Sequence, residues 1–290
     1  MAVQLDRMGI EEAGRSSRAL AVAIHLQVPV PSGAVPVEEI AAGLDIIEIQ
    51  RQPLTSFEGV LLTQPERTNG MILVNSNAGI RRQRFTIAHE LLHFLNDKHV
   101  KTDAGFHCTR KDISVVNTKH RPGMSRHLRQ EAEANRFAIE LLAPRYRFDA
   151  FLRDPPHLGA VVELARSLNV SKEATARRYI ELSKEIIAVF FHHNDYLRYP
   201  VTVDGFPDLV LRGKDPMPWL PQNPDADFLT RWQTLDPDEW LTNPKGYTLR
   251  GQTLYQHDGC GMTMLRLDGR GPEGADDDAP DSFDHFTQWS

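Results

Sequence analysis

The chain has 290 residues with a hydrophobic content of 41% and a net charge of -6. This length and composition are sufficient for a full-sized core in one or two domains, and the acidic balance excludes a general electrostatic attraction to nucleic acid. Only two cysteines occur, Cys108 and Cys260, which argues against a disulfide framework. No apolar run approaches the roughly 18 residues of a membrane span, and the N-terminal residues lack the pattern of a signal peptide. We therefore expect a cytoplasmic protein.

The first part of the chain predicts two helices followed by a small sheet. Residues 10–27 and 37–44 have helical composition, and Gly43 is placed to end the second helix. The predicted strands cover residues 46–49, 57–62 and 70–75. The last two flank a turn that contains an Asn-Gly pair, which is typical of a hairpin. An edge strand of such a sheet could hold an extended peptide.

The next helix, residues 84–95, contains His89, Glu90 and His93 in an H-E-x-x-H arrangement. Histidines four residues apart lie on one face of a helix, with Cβ atoms about 5–6 Å apart, so both imidazoles can reach one tetrahedral zinc ion. Glu90 is rotated by about 100° from His89 and flanks the open position of the metal. There it can take a proton from a zinc-bound water. The motif predicts two zinc ligands and a catalytic base.

A catalytic zinc ion needs a third protein ligand, and a second predicted helix over residues 129–143 offers one. Glu131 lies near the start of this helix. Asn135, four residues further on, could hold a ligating histidine by its second ring nitrogen. Glu133 is about 200° round the helix from Glu131, so these two carboxylates cannot face the same ion.

His99 is the rival third ligand. It follows His93 by six residues, in an order similar to H-E-x-x-H-x-x-G-x-x-H with Asn96 in place of the glycine. Both alternatives predict a peptidase.

Residues 96–128 between the two helices are polar and irregular, and a loop of this length is usually functional or disordered. His107 or Cys108 could add a fourth protein ligand, which would leave no room for water and indicate a structural zinc. His120 and His127 are candidates for stabilising the oxyanion of a peptide hydrolysis, and Tyr146 after the second helix is a third.

Residues 85–95 and 131–144, taken together, resemble two motifs of the ImmA/IrrE family of bacterial zinc endopeptidases. The resemblance covers roughly residues 10–200 and implies a gluzincin-like protein with an α+β, zincin-like metallopeptidase domain. It implies zinc held by His89, His93 and Glu131, with Glu90 as the general base. It also implies that the substrate is a transcriptional repressor, cut once to induce a stress, mobile-element or toxin-antitoxin response.

Residues 158–184 have the pattern of a helix-turn-helix, with Ser171 as the N-cap of the second helix. If this segment reads DNA, Lys172, Thr175 and Arg178 could touch phosphates or bases. Two glutamates leave the second helix only weakly basic, so a helical pair that packs on the peptidase domain is favoured over a DNA reader.

The remaining sequence predicts a β-rich C-terminal region with an acidic tail over residues 276–284. We expect a metallopeptidase domain over residues 1–150, a helix-turn-helix-like segment and strand over 151–200, and the β-rich region over 201–290. An alternative function is a DNA-binding regulator, or a protein that sequesters a repressor, with a structural or sensory zinc site.

Overall fold

The computed structural model describes residues 3–29, 33–100, 106–113, 123–218 and 228–268. The chain divides into two compact units, Met1–Lys184 and Glu185–Ser290. The predicted α+β class is confirmed. The boundary lies between residues 184 and 185, whereas the sequence placed boundaries after residues 150 and 200. None of the helices in the described residues is both long and apolar enough to cross a membrane.

The first unit contains the α-helices of the described residues. They are α1 (Arg7–Glu12), α2 (Ser17–Gln27), α3 (Val37–Gly43), α4 (Ile80–Leu95), α5 (Arg126–Leu142), α6 (Leu158–Leu168) and α7 (Lys172–Leu182). Ser16, Ser125 and Ser171 cap α2, α5 and α7, because each hydroxyl accepts a hydrogen bond from the backbone N–H three residues later. These caps fix where the helices begin.

The sheet of the first unit has four strands, β1 (Ile46–Gln52), β2 (Gly59–Thr63), β3 (Gly70–Asn75) and β4 (Phe106–Cys108). Their order is β1-β3-β2-β4, with β1 and β3 parallel and the other pairs antiparallel. The three predicted strands are present, whereas β4 lies in the segment predicted to be irregular. Because β4 has only three residues, it shows no alternation that a sequence pattern could reveal.

Helix α4 is surrounded by the rest of the unit. It packs against α3, α5, β2 and β3, and nearly every residue of its second half is buried. Helix α5 packs against both α2 and α4. The two helices that carry the predicted site residues therefore meet in the interior.

Helices α6 and α7 form the predicted helical pair, joined by a turn in which Asn169 is left-handed, with φ 50° and ψ 48°. Thr175 and Arg178, however, are 0% and 2% exposed. The Arg178 guanidinium pairs with the carboxylates of Glu140 and Glu181. This corrects the sequence-based list of candidate DNA contacts, since a buried side chain cannot reach a groove; Lys172 remains at the start of α7.

The second unit is β-rich and begins at Glu185, so it also includes the strand that the sequence analysis placed within residues 151–200. Its antiparallel strands are β5 (Ile187–His193), β6 (Tyr196–Thr202), β7 (Gln233–Leu235), β8 (Thr248–Tyr255) and β9 (Cys260–Asp268), in the order β6-β5-β9-β8-β7. Trp240 lies in the core of this unit with its ring edge-on to Phe190. The acidic tail lies outside the described residues.

Truncation of Arg178 tests the buried ion pairs. Arg178→Ala should lower the free energy of unfolding of the first unit by about 3 kcal/mol, because it removes one of the two arginines that pair with the buried Glu140 carboxylate. The exposed Arg166 is a matched control, and Arg166→Ala should change stability by less than about 0.5 kcal/mol. Urea unfolding followed by the helical circular dichroism signal measures both variants. Equal losses of stability in Arg178→Ala and Arg166→Ala would contradict the buried ion pairs of Arg178.

The second unit contains a pH-sensitive buried histidine. Burial lowers the pKa of His192 to about 4. As pH falls below about 6.5, the unfolded chain binds a proton that folded His192 takes up only near pH 4, so stability should fall across this range by up to about 3 kcal/mol. His192→Gln should remove this part of the pH dependence, and His193→Gln, at the exposed neighbouring residue, should not.

Tryptophan fluorescence measures the unfolding of the second unit, since all four tryptophans follow residue 218 and so belong to this unit. If the free energy of unfolding fell equally in wild type and in His192→Gln between pH 6.5 and pH 4, His192 would not be the cause of the pH dependence.

Candidate metal centre

The three predicted ligands converge in the interior between α4 and α5. His89 Nε2 lies 3.1 Å from Glu131 Oε2 and 3.2 Å from His93 Nε2, and His93 Nε2 lies 3.5 Å from Glu131 Oε1. Donor atoms that share one tetrahedral zinc at 2.0–2.2 Å lie roughly 3.3–3.5 Å apart. Two imidazole nitrogens, each close to one oxygen of the Glu131 carboxylate, are therefore near enough to that carboxylate and to each other to share a zinc ion.

His89 is oriented by Asn135. Its Nδ1 lies 3.0 Å from Asn135 Oδ1, and Asn135 Nδ2 donates to the Asp112 carbonyl at 2.6 Å. Because the amide nitrogen is already donating to a carbonyl, Oδ1 faces the ring and accepts from Nδ1–H. The second nitrogen, Nε2, then keeps its lone pair for a metal. Asn135 is placed where the sequence predicted a supporting group.

His93 is oriented by a longer chain of contacts. Its Nδ1 lies 2.9 Å from His99 Nδ1, and His99 Nε2 lies 3.0 Å from Glu133 Oε2. If Glu133 accepts from His99 Nε2–H, the lone pair of His99 Nδ1 accepts from His93, which leaves His93 Nε2 for a metal. This corrects the alternative ligand assignment: both ring nitrogens of His99 are engaged behind His93, away from the donor atoms.

The charges of the site suit a cation. Burial alone would raise the pKa of Glu131, but its contacts with His89 and His93 outweigh burial and hold this pKa far below its usual range. Burial lowers the pKa of His93 to about 4. For His89, burial acts to lower the pKa, and the hydrogen bond and charge of Glu131 outweigh it, so the pKa is raised. The donor set therefore contains an ionised carboxylate and a neutral imidazole.

Strand β4 brings Cys108 to the same place. One donor atom from each of His89, His93, Glu131 and Cys108 can be chosen so that all four lie within 4.8 Å of one another. Phe106, on the same strand, stacks on the His93 ring with centroids 4.9 Å apart. His107 instead packs against Phe57 and is not part of this cluster. Of the two candidates for a fourth ligand, the structure brings only Cys108 to the described donor set.

Glu90 is fully buried beside these donors. Neither of its carboxylate oxygens has a nitrogen or oxygen hydrogen-bond donor among the described residues, and the Cys108 thiol faces it. Burial raises the pKa of Glu90 to about 7 and raises the pKa of the Cys108 thiol well above its ordinary value. A Cβ at Gly59 would lie 2.5 Å from Glu90 Oε1, so only glycine lets β2 approach this carboxylate.

Of the candidates for oxyanion stabilisation, His127 is the one at the site. Its Nδ1 lies 3.6 Å from Glu131 Oε1 and its Nε2 lies 3.5 Å from Asp112 Oδ1, while about half of the side chain is exposed. Tyr146 packs edge-on against His25 instead. His120 lies outside the described residues.

Residues 45–179 match the family model of the IrrE N-terminal-like domain, Peptidase M78. This segment belongs to the ImmA/IrrE family. The matched segment contains α4, α5 and the complete donor set, which supports a metallopeptidase-like role and the zincin-like fold. No curated protein matches the chain.

Among solved structures, a Mycobacterium tuberculosis transcriptional regulator is similar to this chain. The two are 13% identical, with a TM-score of 0.45, and the match covers 90% of this chain and 87% of that chain.

Three features of this ImmA/IrrE site were not assigned from the sequence. The approach of β2 to Glu90 could have been suspected from Gly59, since a glycine inside a strand often marks close backbone contact. No sequence pattern predicted that Glu133 holds His93 through His99. This contact depends on how the turn after α4 packs against α5. The position of Cys108 depends on β4, which no pattern predicted.

Metal affinity tests the two supporting contacts. Asn135→Ala and His99→Ala should each weaken zinc binding by about 10–100-fold while one zinc per chain is retained, because both variants leave the donor atoms in place. Glu131→Ala should lose the bound zinc, and Arg129→Ala, at an exposed residue of α5, should bind as wild type. Competition with a chromophoric chelator measures these affinities. Loss of zinc from His99→Ala to the same extent as from Glu131→Ala would return His99 to the donor set.

Proposed function

We propose that this protein is a zinc-dependent endopeptidase that cuts a protein substrate. The observation that carries the proposal is the buried carboxylate of Glu90. It has no nitrogen or oxygen donor in the part of the chain that the structure describes, and it lies beside two imidazoles and a carboxylate that fit zinc. An unpaired buried carboxylate is costly for a fold that uses it only as structure. It is useful as a base, because no nitrogen or oxygen donor among the described residues competes for its lone pairs.

His89, His93 and Glu131 would hold the zinc. When bound, zinc would supply a Lewis acid for the peptide carbonyl and lower the pKa of a water towards 7. Glu90 takes the proton of the attacking water and passes it to the leaving amine. His127, half exposed on the first turn of α5, can donate a hydrogen bond to the carbonyl oxygen as negative charge develops on it.

We further propose that the substrate is a helix-turn-helix transcriptional repressor, and that its cleavage derepresses stress-response, mobile-element or toxin-antitoxin genes. The support is the family resemblance, in which repressors are the substrates. Both cysteines are free, in keeping with a reducing compartment, and a cytoplasmic location follows from the choice of substrate.

A second candidate function is supported by the position of Cys108. Four protein donors can form a closed zinc site, as in a regulator whose zinc is structural or sensory. Its DNA-binding part has less support, because Thr175 and Arg178 are buried.

Replacement of the base tests the proposed function. Glu90→Gln keeps the shape of the side chain but removes the proton acceptor, so cleavage should slow by about 10²–10⁴-fold with zinc content unchanged. The exposed Glu48 provides a control, and Glu48→Gln should cleave as wild type. Candidate repressors encoded beside the gene are incubated with each variant, and products are identified by gel and mass analysis.

Equal cleavage by wild type and Glu90→Gln would reject the role of Glu90. Intact repressors together with a shift of operator DNA by this protein would favour the regulator.

A further inference from the structure

Strand β4 lies beside the donor set formed by His89, His93 and Glu131. Cys108 is 1% exposed and pairs with Gly59 in the register of β4 against β2. Gly59 is the residue that lets β2 approach Glu90. The strand pairing therefore places the Cys108 thiol next to both the catalytic carboxylate and the metal-binding atoms.

We propose that the Cys108 thiolate is a fourth protein ligand, which holds the metal in a closed, latent form of the enzyme. This inference rests on the proposed function, since the position that Cys108 occupies is the one that the attacking water needs. Thiolate and imidazole donors together select zinc over calcium or magnesium, which prefer oxygen ligands. The Cys108 sulfur needs to move only a short distance to bind the metal, because it already lies within 4.8 Å of the other donor atoms.

The proton of the thiol has an acceptor at the site. A thiol binds a metal as the thiolate. The thiol of Cys108 faces the carboxylate of Glu90, which receives the proton when the sulfur binds the metal. One side chain thus blocks the site in two ways: it fills the position of the water and it faces the base.

The same strand provides a route to the open form. Among the described strands, β4 lies at the edge of the sheet and pairs with β2 alone, so its departure breaks no other strand pair within those residues. A substrate segment that pairs with β2 in its place would withdraw Cys108 and put an extended peptide over Glu90. The latent form is then opened by the substrate itself.

Cobalt substitution tests the ligand directly. Cobalt(II) bound to a thiolate shows an intense charge-transfer absorption in the near ultraviolet that nitrogen and oxygen ligands do not give. The full chain has two cysteines, so Cys260→Ser leaves Cys108 as its only thiol. Cobalt-loaded wild type and Cys260→Ser should both show this band, and Cys108→Ser and Cys108→Ala should lack it. A Cys260→Ser protein without the band would overturn the inference even if the Cys108 variants failed to fold.

Access to the metal is measured with acetohydroxamate, which binds zinc or cobalt only where a position is open. Cobalt-loaded Cys108→Ala should bind it about tenfold or more tightly than Cys260→Ser, read from the visible cobalt spectrum. Equal affinities would show that Cys108 does not close the site. Neither optical readout needs a peptide, so a negative result here counts against Cys108 as a ligand and leaves the cleavage test of Glu90 unaffected.

Discussion

The contact between α4 and α5 is the constraint on which the metal centre depends. Helix α4 supplies two imidazoles, while α5 supplies the carboxylate that joins them and both polar groups that orient them. Each ring is held through its Nδ1, His89 by Asn135 and His93 through His99 by Glu133. Buried polar groups are costly without partners, so each of these contacts depends on the packing of α4 against α5.

The sheet decides what faces the remaining side of the centre. A glycine in β2 allows the backbone to lie against Glu90, and β4 then places Phe106 on the His93 ring and Cys108 beside the donors. Whether this centre behaves as an open peptidase site or as a closed one is therefore a property of a three-residue strand. Both candidate functions use the same three ligands, and they differ in whether the fourth position belongs to water or to sulfur.

The helical pair α6 and α7 stabilises the first unit. Arg178 of α7 forms ion pairs with Glu140, on the same helix that carries Glu131, and its Nε donates to the carbonyl of Ala143 at the end of α5. Arg136 joins Glu140 and Glu181 from the other side. This network anchors the C-terminal half of α5, so the pair supports the helix that builds the metal centre. Arg178 is buried because these contacts lie in the interface between α7 and α5.

The sequence by itself determined the parts of the site that lie on single helices. Residues four apart on a helix share a face whatever surrounds it, so His89, His93 and the offset of Glu90 followed from spacing alone. The separation of Glu131 and Asn135 along a second helix followed in the same way. Only the tertiary structure decided that Glu131, and not His99, lies with the donor atoms of the two histidines, and that Cys108 lies beside them. These relations depend on how a turn and a short strand pack against the helices, and such contacts between distant residues leave no periodic pattern in the sequence.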